Sequence, residues 1–465
     1  MINSNKKFGV GDKIGYMFGD FGNDFFFIFV ASFLMLFYTD IMGISGAIVG
    51  VLFLVARVWD AIMDVAWGRF IDSRKPGEKG KFKPWMMRMS LPLVIFGVLM
   101  FTKIPGMSNQ FHMIYAFATY IIWGSLYSTV NIPYGSMASV ITGDPTERAS
   151  LSTFRSIGAA IAGTIVSVVV PLVIFVNNKA DAGRFSMIAI VFAVLAMGCY
   201  SLCYFLTTER IVSQDAGKKL YWRVTLAGMK RNKPLIALIC AALVLLVSTM
   251  LVSAMNSYMF KDYFHNTKAL SIAGLISAVT PILLAPFIAP IIKRFGKKES
   301  ASVAVFIAAI AYFVLFLFPG KNVTLFLGVM FIGYLGIGLF NTTIWAFVTD
   351  VIDYQEYLTD TREDATIYSM YSFARKIGQA VAGGLSGAAL SAVGYVAGAP
   401  AQTEQVASSL KSFATLIPAI AYLIVFLILT FVYPLNKKKL EELTSNLKER
   451  HEIKAKNAEI IANQE

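Results

Sequence analysis

The chain has 465 residues, of which 57% are hydrophobic and only 15% charged, with 37 Phe and a mean hydropathy of +0.64. That composition excludes a soluble globular domain or a disordered chain and describes an all-α, polytopic membrane protein. The net charge of +13 is expected to follow loop topology and anionic headgroups, and no nucleic-acid partner is expected from it.

Read with a window of about 19 residues, apolar spans fall near 14–40, 46–70, 85–103, 111–141, 150–176 and 186–206. After a polar gap they resume near 234–260, 268–292, 301–318, 323–350, 366–393 and 409–433, giving twelve in all. Lys6, Lys7, Asp12 and Lys13 lead into a first span too long for a signal's apolar region, so a retained helix is expected there. Basic residues gather in alternate loops: Arg74, Lys75, Lys79, Lys81 and Lys83 after span two, Arg148 after four, Lys293, Arg294, Lys297 and Lys298 after eight. The positive-inside rule makes these loops cytoplasmic and predicts both termini on that side.

Span one carries Gly19-Asp-Phe-Gly-Asn-Asp24, two acids four residues apart on one helix face. Asp24, about a third of the way in, can accept two hydroxyls of one ligand in a bidentate pair. Asp20, nearer the cytoplasmic boundary, is a candidate for the same cavity or for pairing with a basic loop.

Span two carries Arg57-Val-Trp-Asp60-Ala-Ile-Met-Asp64, with separations of three, four and seven that put all three charges on one face. A charge at the bilayer centre costs about 2.5–3.5 kcal/mol on insertion scales, so intramembrane charges imply use. Two carboxylates this close repel, and a proton or a hard monovalent cation between them relieves the repulsion. The alternative, an Arg-Asp pair that only locks helices, explains one carboxylate and leaves the other over.

Span four contains Trp123, Tyr127, Asn131 and Tyr134 at spacings of four, four and three, an aromatic and amide stripe suited to sugar rings and hydroxyls. Near the start of span five, Arg155-Ser-Ile-Gly-Ala-Ala-Ile-Ala-Gly163 matches Arg375-Lys-Ile-Gly-Gln-Ala-Val-Ala-Gly383 near the start of span eleven. Six of nine positions are identical at an offset of 220 residues. This repeat predicts two six-helix halves: 1–206, a cytoplasmic middle loop 207–233, a second bundle 234–433, and a charged, partly helical, solvated tail 434–465. Such halves, related by an axis along the membrane normal, describe the major facilitator architecture with its site near the midplane.

Arg155, Arg375 and Lys376 are candidates for neutralising the aspartates, donating to substrate oxygens or forming an inner gate. Asp350, Asp353 and Glu356, followed by Arg362 and Asp364, are expected to bridge to basic residues across the two halves as a bistable gate. Cys199, Cys203 and Cys240 have no metal or disulfide spacing, and His112, His265 and His451 lie at span ends or in the tail. With no Walker loop and no Gly-x-Ser-x-Gly elbow, an enzyme or ATPase is not expected, and transport energy falls to an ion gradient.

The motifs resemble those of the glycoside-pentoside-hexuronide:cation symporters, over nearly the whole chain: Gly19-Asp-Phe-Gly-Asn-Asp24, Phe37-Tyr-Thr-Asp40, Leu54-Val-Ala-Arg57-Val-Trp-Asp60-Ala-Ile-Met-Asp64, Gly80-Lys-Phe-Lys-Pro-Trp85, Asn131-Ile-Pro-Tyr134 and Asp353-Tyr-Gln-Glu-Tyr357. Asn131-Ile-Pro-Tyr-Gly-Ser-Met-Ala138, Met229-Lys-Arg-Asn-Lys-Pro234 and Tyr433-Pro-Leu are most similar to the xyloside and glucuronide carriers. The resemblance implies that Asp60 and Asp64 bind the coupling cation with help from Ser128. It also implies that Asp24, Trp123, Tyr127, Asn131, Arg155, Trp345 and Lys376 line the sugar site. From the residues themselves, Asp20, Arg57, Arg148, Asp350, Asp353, Arg362 and Arg375 are expected to form a gating and charge network. The resemblance implies a monomeric carrier in the bacterial cytoplasmic membrane, with no cofactor beyond H⁺ or Na⁺ as coupling ion. Two departures shape the expectation. Met63 stands where the melibiose branch has a sodium-ligating asparagine, which favours protons, because a thioether is a poor ligand for a hard cation. Asn131 stands where that branch has an aspartate, and with Asp24 repelling a uronate the expected cargo is a neutral xyloside or short glycoside. Distant relatives that move lysolipids make an amphiphile the alternative cargo, and a glucuronide is the other.

Overall fold

The computed structural model describes residues 7–72, 74, 77, 79–142, 144–210, 232–318, 320–359, 364–399 and 401–462. Helices stand at all twelve expected spans: α1 (Val10–Phe29), α2 (Gly46–Asp72), α3 (Lys83–Met100), α4 (Asn109–Ile141), α5 (Pro145–Ile174), α6 (Ala182–Leu206), α7 (Lys233–Tyr258), α8 (Thr267–Phe295), α9 (Lys297–Leu317), α10 (Val323–Thr359), α11 (Asp364–Ala392) and α12 (Glu404–Leu427). A further helix, α13 (Lys437–Ala462), occupies the tail. Ten stretches among the described residues are long and apolar enough to cross a membrane. The helices outside that set are α3, with Lys83 and Arg88 in its 18 residues, α11, rich in Gly, Ala and Ser, and the charged α13.

Helices of this length follow from apolar runs whose backbone groups must bond within the segment in lipid. Side chains outside the apolar runs set their starts: Ser108 Oγ accepts from Phe111 N (3.2 Å), Asp181 Oδ1 from Arg184 N (2.9 Å) and Asn232 Oδ1 from Leu235 N (3.0 Å). Glu209 caps α3 from 126 residues away, accepting from the backbone N–H groups of Lys81, Phe82 and Lys83 at 2.6, 2.9 and 2.7 Å. Burial pushes the Glu209 carboxyl above its ordinary range, and those three donors oppose the shift. Asp12 and Arg210 brace the same end through a two-pronged pair, Arg210 NH1 to Oδ1 at 3.1 Å and NH2 to Oδ2 at 2.8 Å.

The chain divides into two compact units, Met1–Lys218 with Met250–Ala278 and Gln379–Ala414, and Lys219–Thr249 with Val279–Gly378 and Thr415–Glu465. These units cross the expected boundaries of the halves, because parts of α7, α8, α11 and α12 group with the first six helices. In the first unit, α2 and α11 meet through small residues: a Cβ on Gly50 would lie 3.0 Å from Gly384 O and from Gly387 Cα. A two-residue turn, Asn177 and Asn178 at φ 47° and 62°, joins the short strands β1 (Phe175–Val176) and β2 (Lys179–Ala180). Asn178 Oδ1 then accepts from Thr267 N (3.0 Å) and Oγ1 (2.9 Å), fixing the start of α8.

In the second unit, α9 and α10 pack through Gly333 against Tyr312 and Gly336 against Ala304 and Ala308. The tail departs from the solvated extension expected: α13 is docked, with Leu443 and Leu447 buried and Arg450 donating to Tyr357 O at 3.0 Å while covering that ring. Its leucines and the Arg450 stem cover apolar surface that the charge count of the tail conceals.

Candidate functional site

Within the first unit, α1, α4 and α5 bring together most of the expected ligand residues. Gly158 lets α5 approach the Met17 carbonyl and Gly19 seats the Tyr134 ring, so these helices are close. Arg155 Nε donates to Asp20 Oδ1 at 2.9 Å and its guanidinium lies 5.4 Å from the Tyr134 ring centre. Asp20 is therefore bound to a span residue rather than to a basic loop. The Asp20 side chain is 9% exposed, whereas that of Arg155 is 42% exposed, leaving the guanidinium open to more than one acid. Asp24, one turn deeper, is half-buried, and among the described residues no donor reaches its carboxylate. Asn131 is held by Asn23 (3.5 Å), itself buried and bonded to Tyr200 OH at 2.8 Å.

The second cluster lies where α2 faces α4. Arg57 NH1 donates to Asp60 Oδ2 at 3.4 Å, and the guanidinium stands 5.7 Å from the Phe27 ring centre. Phe27 stacks on Tyr127 (5.8 Å), so an aromatic pair separates the Arg57 cluster from the Asp24 cluster. Gly124 faces the Asp60 carboxylate closely enough that any Cβ there would displace it. Ser128, one turn beyond Gly124 on that face of α4, is buried, and Asp64 lies half-buried one turn beyond Asp60 on α2. Trp123, expected to face the ligand, is 2% exposed and packs behind Tyr127 at 5.4 Å, where it fixes that ring. Among the described residues no group of three or more His, Cys, Asp or Glu gathers.

A third cluster joins the far ends of α1, α7 and α11. Lys261 Nζ pairs with Asp40 Oδ2 and lies 3.4 Å from Asp262 Oδ2. It also donates to Tyr395 OH at 3.0 Å, and that hydroxyl donates to Asp40 Oδ1 at 2.8 Å. Thr39 and Tyr258 bond at 2.9 Å and Ser32 and Ser253 at 3.2 Å along the same joint. Burial, followed by the Asp40 and Asp262 charges, holds the Tyr395 phenol far above its ordinary range, so it stays a donor. The joint escapes sequence reading because these bonded partners on different elements are 134 to 355 residues apart; the Phe37-Tyr-Thr-Asp40 motif was its one visible part.

Other expected residues lie elsewhere. Trp345, Arg375 and Lys376 belong to the second unit, the Trp345 side chain and Arg362 falling outside the described residues. Asp350 was expected to bridge the halves, but it pairs with Lys297 (2.5 Å) inside its own unit, where α9 begins beside α10. Asp353 is half-buried one turn on. Arg148 closes α4 locally, donating to Thr142 O at 2.9 Å and Ser139 O at 3.2 Å.

The family model of the MFS/sugar transport proteins matches residues 15–437. An uncharacterized symporter, YjmB, of Bacillus subtilis (strain 168) is 35% identical over 452 residues, covering 96% of this chain and 97% of the relative. A glucuronide carrier protein homolog of Escherichia coli (strain K12) is 33% identical, with 95% and 96% covered. The isoprimeverose transporter of Lactiplantibacillus pentosus is 32% identical, with 95% and 91% covered. Among solved structures the nucleoside transporter NupG superposes with a TM-score of 0.64 at 14% identity, covering 91% of this chain and 99% of that one, a likeness of fold alone. With helices at the twelve expected positions, ten stretches among the described residues long and apolar enough to cross a membrane, and a match along nearly its full length, the chain is a multi-pass carrier and not an enzyme, and belongs to the MFS/sugar transport family, among its glycoside-pentoside-hexuronide symporters.

Proposed function

We propose that this protein imports a neutral sugar or short glycoside together with H⁺ or Na⁺ by alternating access, through the bacterial cytoplasmic membrane with both termini inside. The observation that carries the reading is the contrast between the acids of two adjoining layers. Among the described residues no donor meets Asp24, which can accept sugar hydroxyls beside Asn131 and the Tyr127 face. Asp60 is held by Arg57 at a long 3.4 Å, a contact that an entering cation can replace. With Asp64 and Ser128 on neighbouring turns, the ion would draw in Asp60 and release Arg57 toward Phe27 and the ligand cavity. Sugar and ion then strengthen each other's binding, and the coupling is reciprocal. The Asp40–Lys261–Tyr395 joint serves as the outer gate, lying at the end of the spans away from the basic loops. Met63 beside Asp64 favours H⁺ over Na⁺.

A glucuronide is the second reading, favoured by the exposed Arg155 guanidinium and by the similarity to a glucuronide carrier homolog. Asp24 opposes it by repelling a carboxylate. Uptake of labelled xylosides, galactosides and glucuronides into vesicles, under separate proton and sodium gradients, decides among these. Accumulation of a neutral glycoside under one gradient, lost in Asp60→Asn, is expected; accumulation of glucuronide alone selects the second reading, and no gradient-driven uptake of any glycoside returns weight to an amphiphilic cargo.

A further inference from the structure

A cleft in the first unit is used by none of the roles above. Its empty space is about 440 Å³ with the open solvent at its mouth counted in, and its lining includes Ala31, Phe53, Arg57, Tyr120, Ala254 and Gln379. Its polar groups are few. Arg57 is engaged with Asp60, and Ser386, also on its wall, donates to Ala382 O. Gln379 is half-buried on this wall, and among the described residues no hydrogen bond engages its amide. Gln379 also marks a break in the internal repeat: its counterpart in Arg155–Gly163 is Ala159.

The cleft continues the ligand layer. On α1, Ala31 lies seven residues past Asp24, on the same face and about 10 Å further along the axis at 1.5 Å per residue. On α4, Tyr120 lies seven residues before Tyr127, again on one face, and Phe27 with Tyr127 stands between the two ends. Tyr120 is packed between Phe53 (5.1 Å) and Trp123 (6.2 Å), a rigid aromatic wall. A strip about 10 Å long, with hydroxyl-reading groups at each end and an aromatic middle, matches two linked rings rather than one.

Resting on the glycoside reading of the Asp24 layer, we propose that this cleft is a second subsite, in which Gln379 takes the second ring or aglycone of a glycoside whose first ring is held at Asp24 and Asn131, against the wall that Phe53 and Tyr120 form. Gln379 offers two donors and one acceptor without charge, the set that reads a neutral ring's hydroxyls. Small side chains at Ala31 and Ala254 leave the width that a ring needs.

The test compares half-saturation for methyl β-xyloside and for a disaccharide of xylose and glucose, in proteoliposomes of the full chain. Gln379→Ala is expected to weaken the two-ring sugar about threefold to tenfold, the worth of one to two hydrogen bonds, and to leave the one-ring sugar unchanged. Gln379→Asn should recover part of the loss, and Ala31→Leu, which narrows the cleft without touching a polar group, should give the same selective loss. Equal changes for both sugars, or none, overturn the subsite while leaving the symporter reading intact. Failure of the unsubstituted protein to take up either sugar overturns the symporter reading, and the subsite with it.

Discussion

The joint at Asp40 and the layer at Asp24 are built from similar side chains in one unit, and they differ in how completely the charges are used. At the joint, one lysine touches two acids and a tyrosine, and Tyr395 and Thr39 bond the acid that remains accessible. In the Asp24 layer, Arg155 bonds Asp20, and among the described residues no donor reaches Asp24. A saturated cluster holds elements together, because removing any member strands a buried charge. An unsaturated one waits for a ligand.

Substitutions can break that contrast. The largest effect is expected for Asp60→Asn, which should abolish accumulation against a gradient and leave sugar counterflow in place; counterflow lost together with accumulation would make Asp60 structural. Asp24→Ala should weaken sugar about a hundredfold, as two charge-assisted hydrogen bonds would, with thermal stability of the detergent-purified protein unchanged or raised; a clear fall in stability would mean that Asp24 has a structural partner. Lys261→Met should do the reverse, lowering stability by about 3–5 kcal/mol through two stranded acids, and should speed alkylation of a Ser253→Cys reporter in the joint. An unaltered alkylation rate would remove the joint from gating. The smallest change is expected from Glu209→Gln, which keeps one oxygen for the three N–H groups at the start of α3 and should cost about 1 kcal/mol in unfolding measurements, with uptake unaffected.

Much of this arrangement was legible in the sequence. Hydropathy located the helices because lipid leaves the backbone few alternatives, and the three-, four- and seven-residue spacings placed Arg57, Asp60 and Asp64 on one face. Local periodicity is silent about partners on other helices. It did not reveal that Gly124 seats Asp60, that Asn23 holds Asn131, that Glu209 caps α3, or that Asp350 pairs inside its own unit with Lys297. Trp123 shared the stripe of Tyr127 and Asn131, yet it is the stripe's buried side, since a helical spacing defines a line and not its depth. The tail misled in another way: its charge suggested solvation, whereas a few leucines and one arginine stem sufficed to dock it.

The winding of α1 and its continuation carries a consequence for how the two acid clusters are connected. The segment contains two π-helical turns, Val30–Leu34 and Phe37–Ile41, between the Asp24 region and the joint. In an unbroken α-helix the steps from Asp24 to Asp40 would place them about 160° apart, nearly back to back. If each wide turn absorbs one extra residue, the difference closes to about 40°. The helix is thus rephased so that Asp24 and Asp40 look into the same interior, and re-tightening either turn would swing Asp40 away from Lys261 by about 100° without moving Asp24.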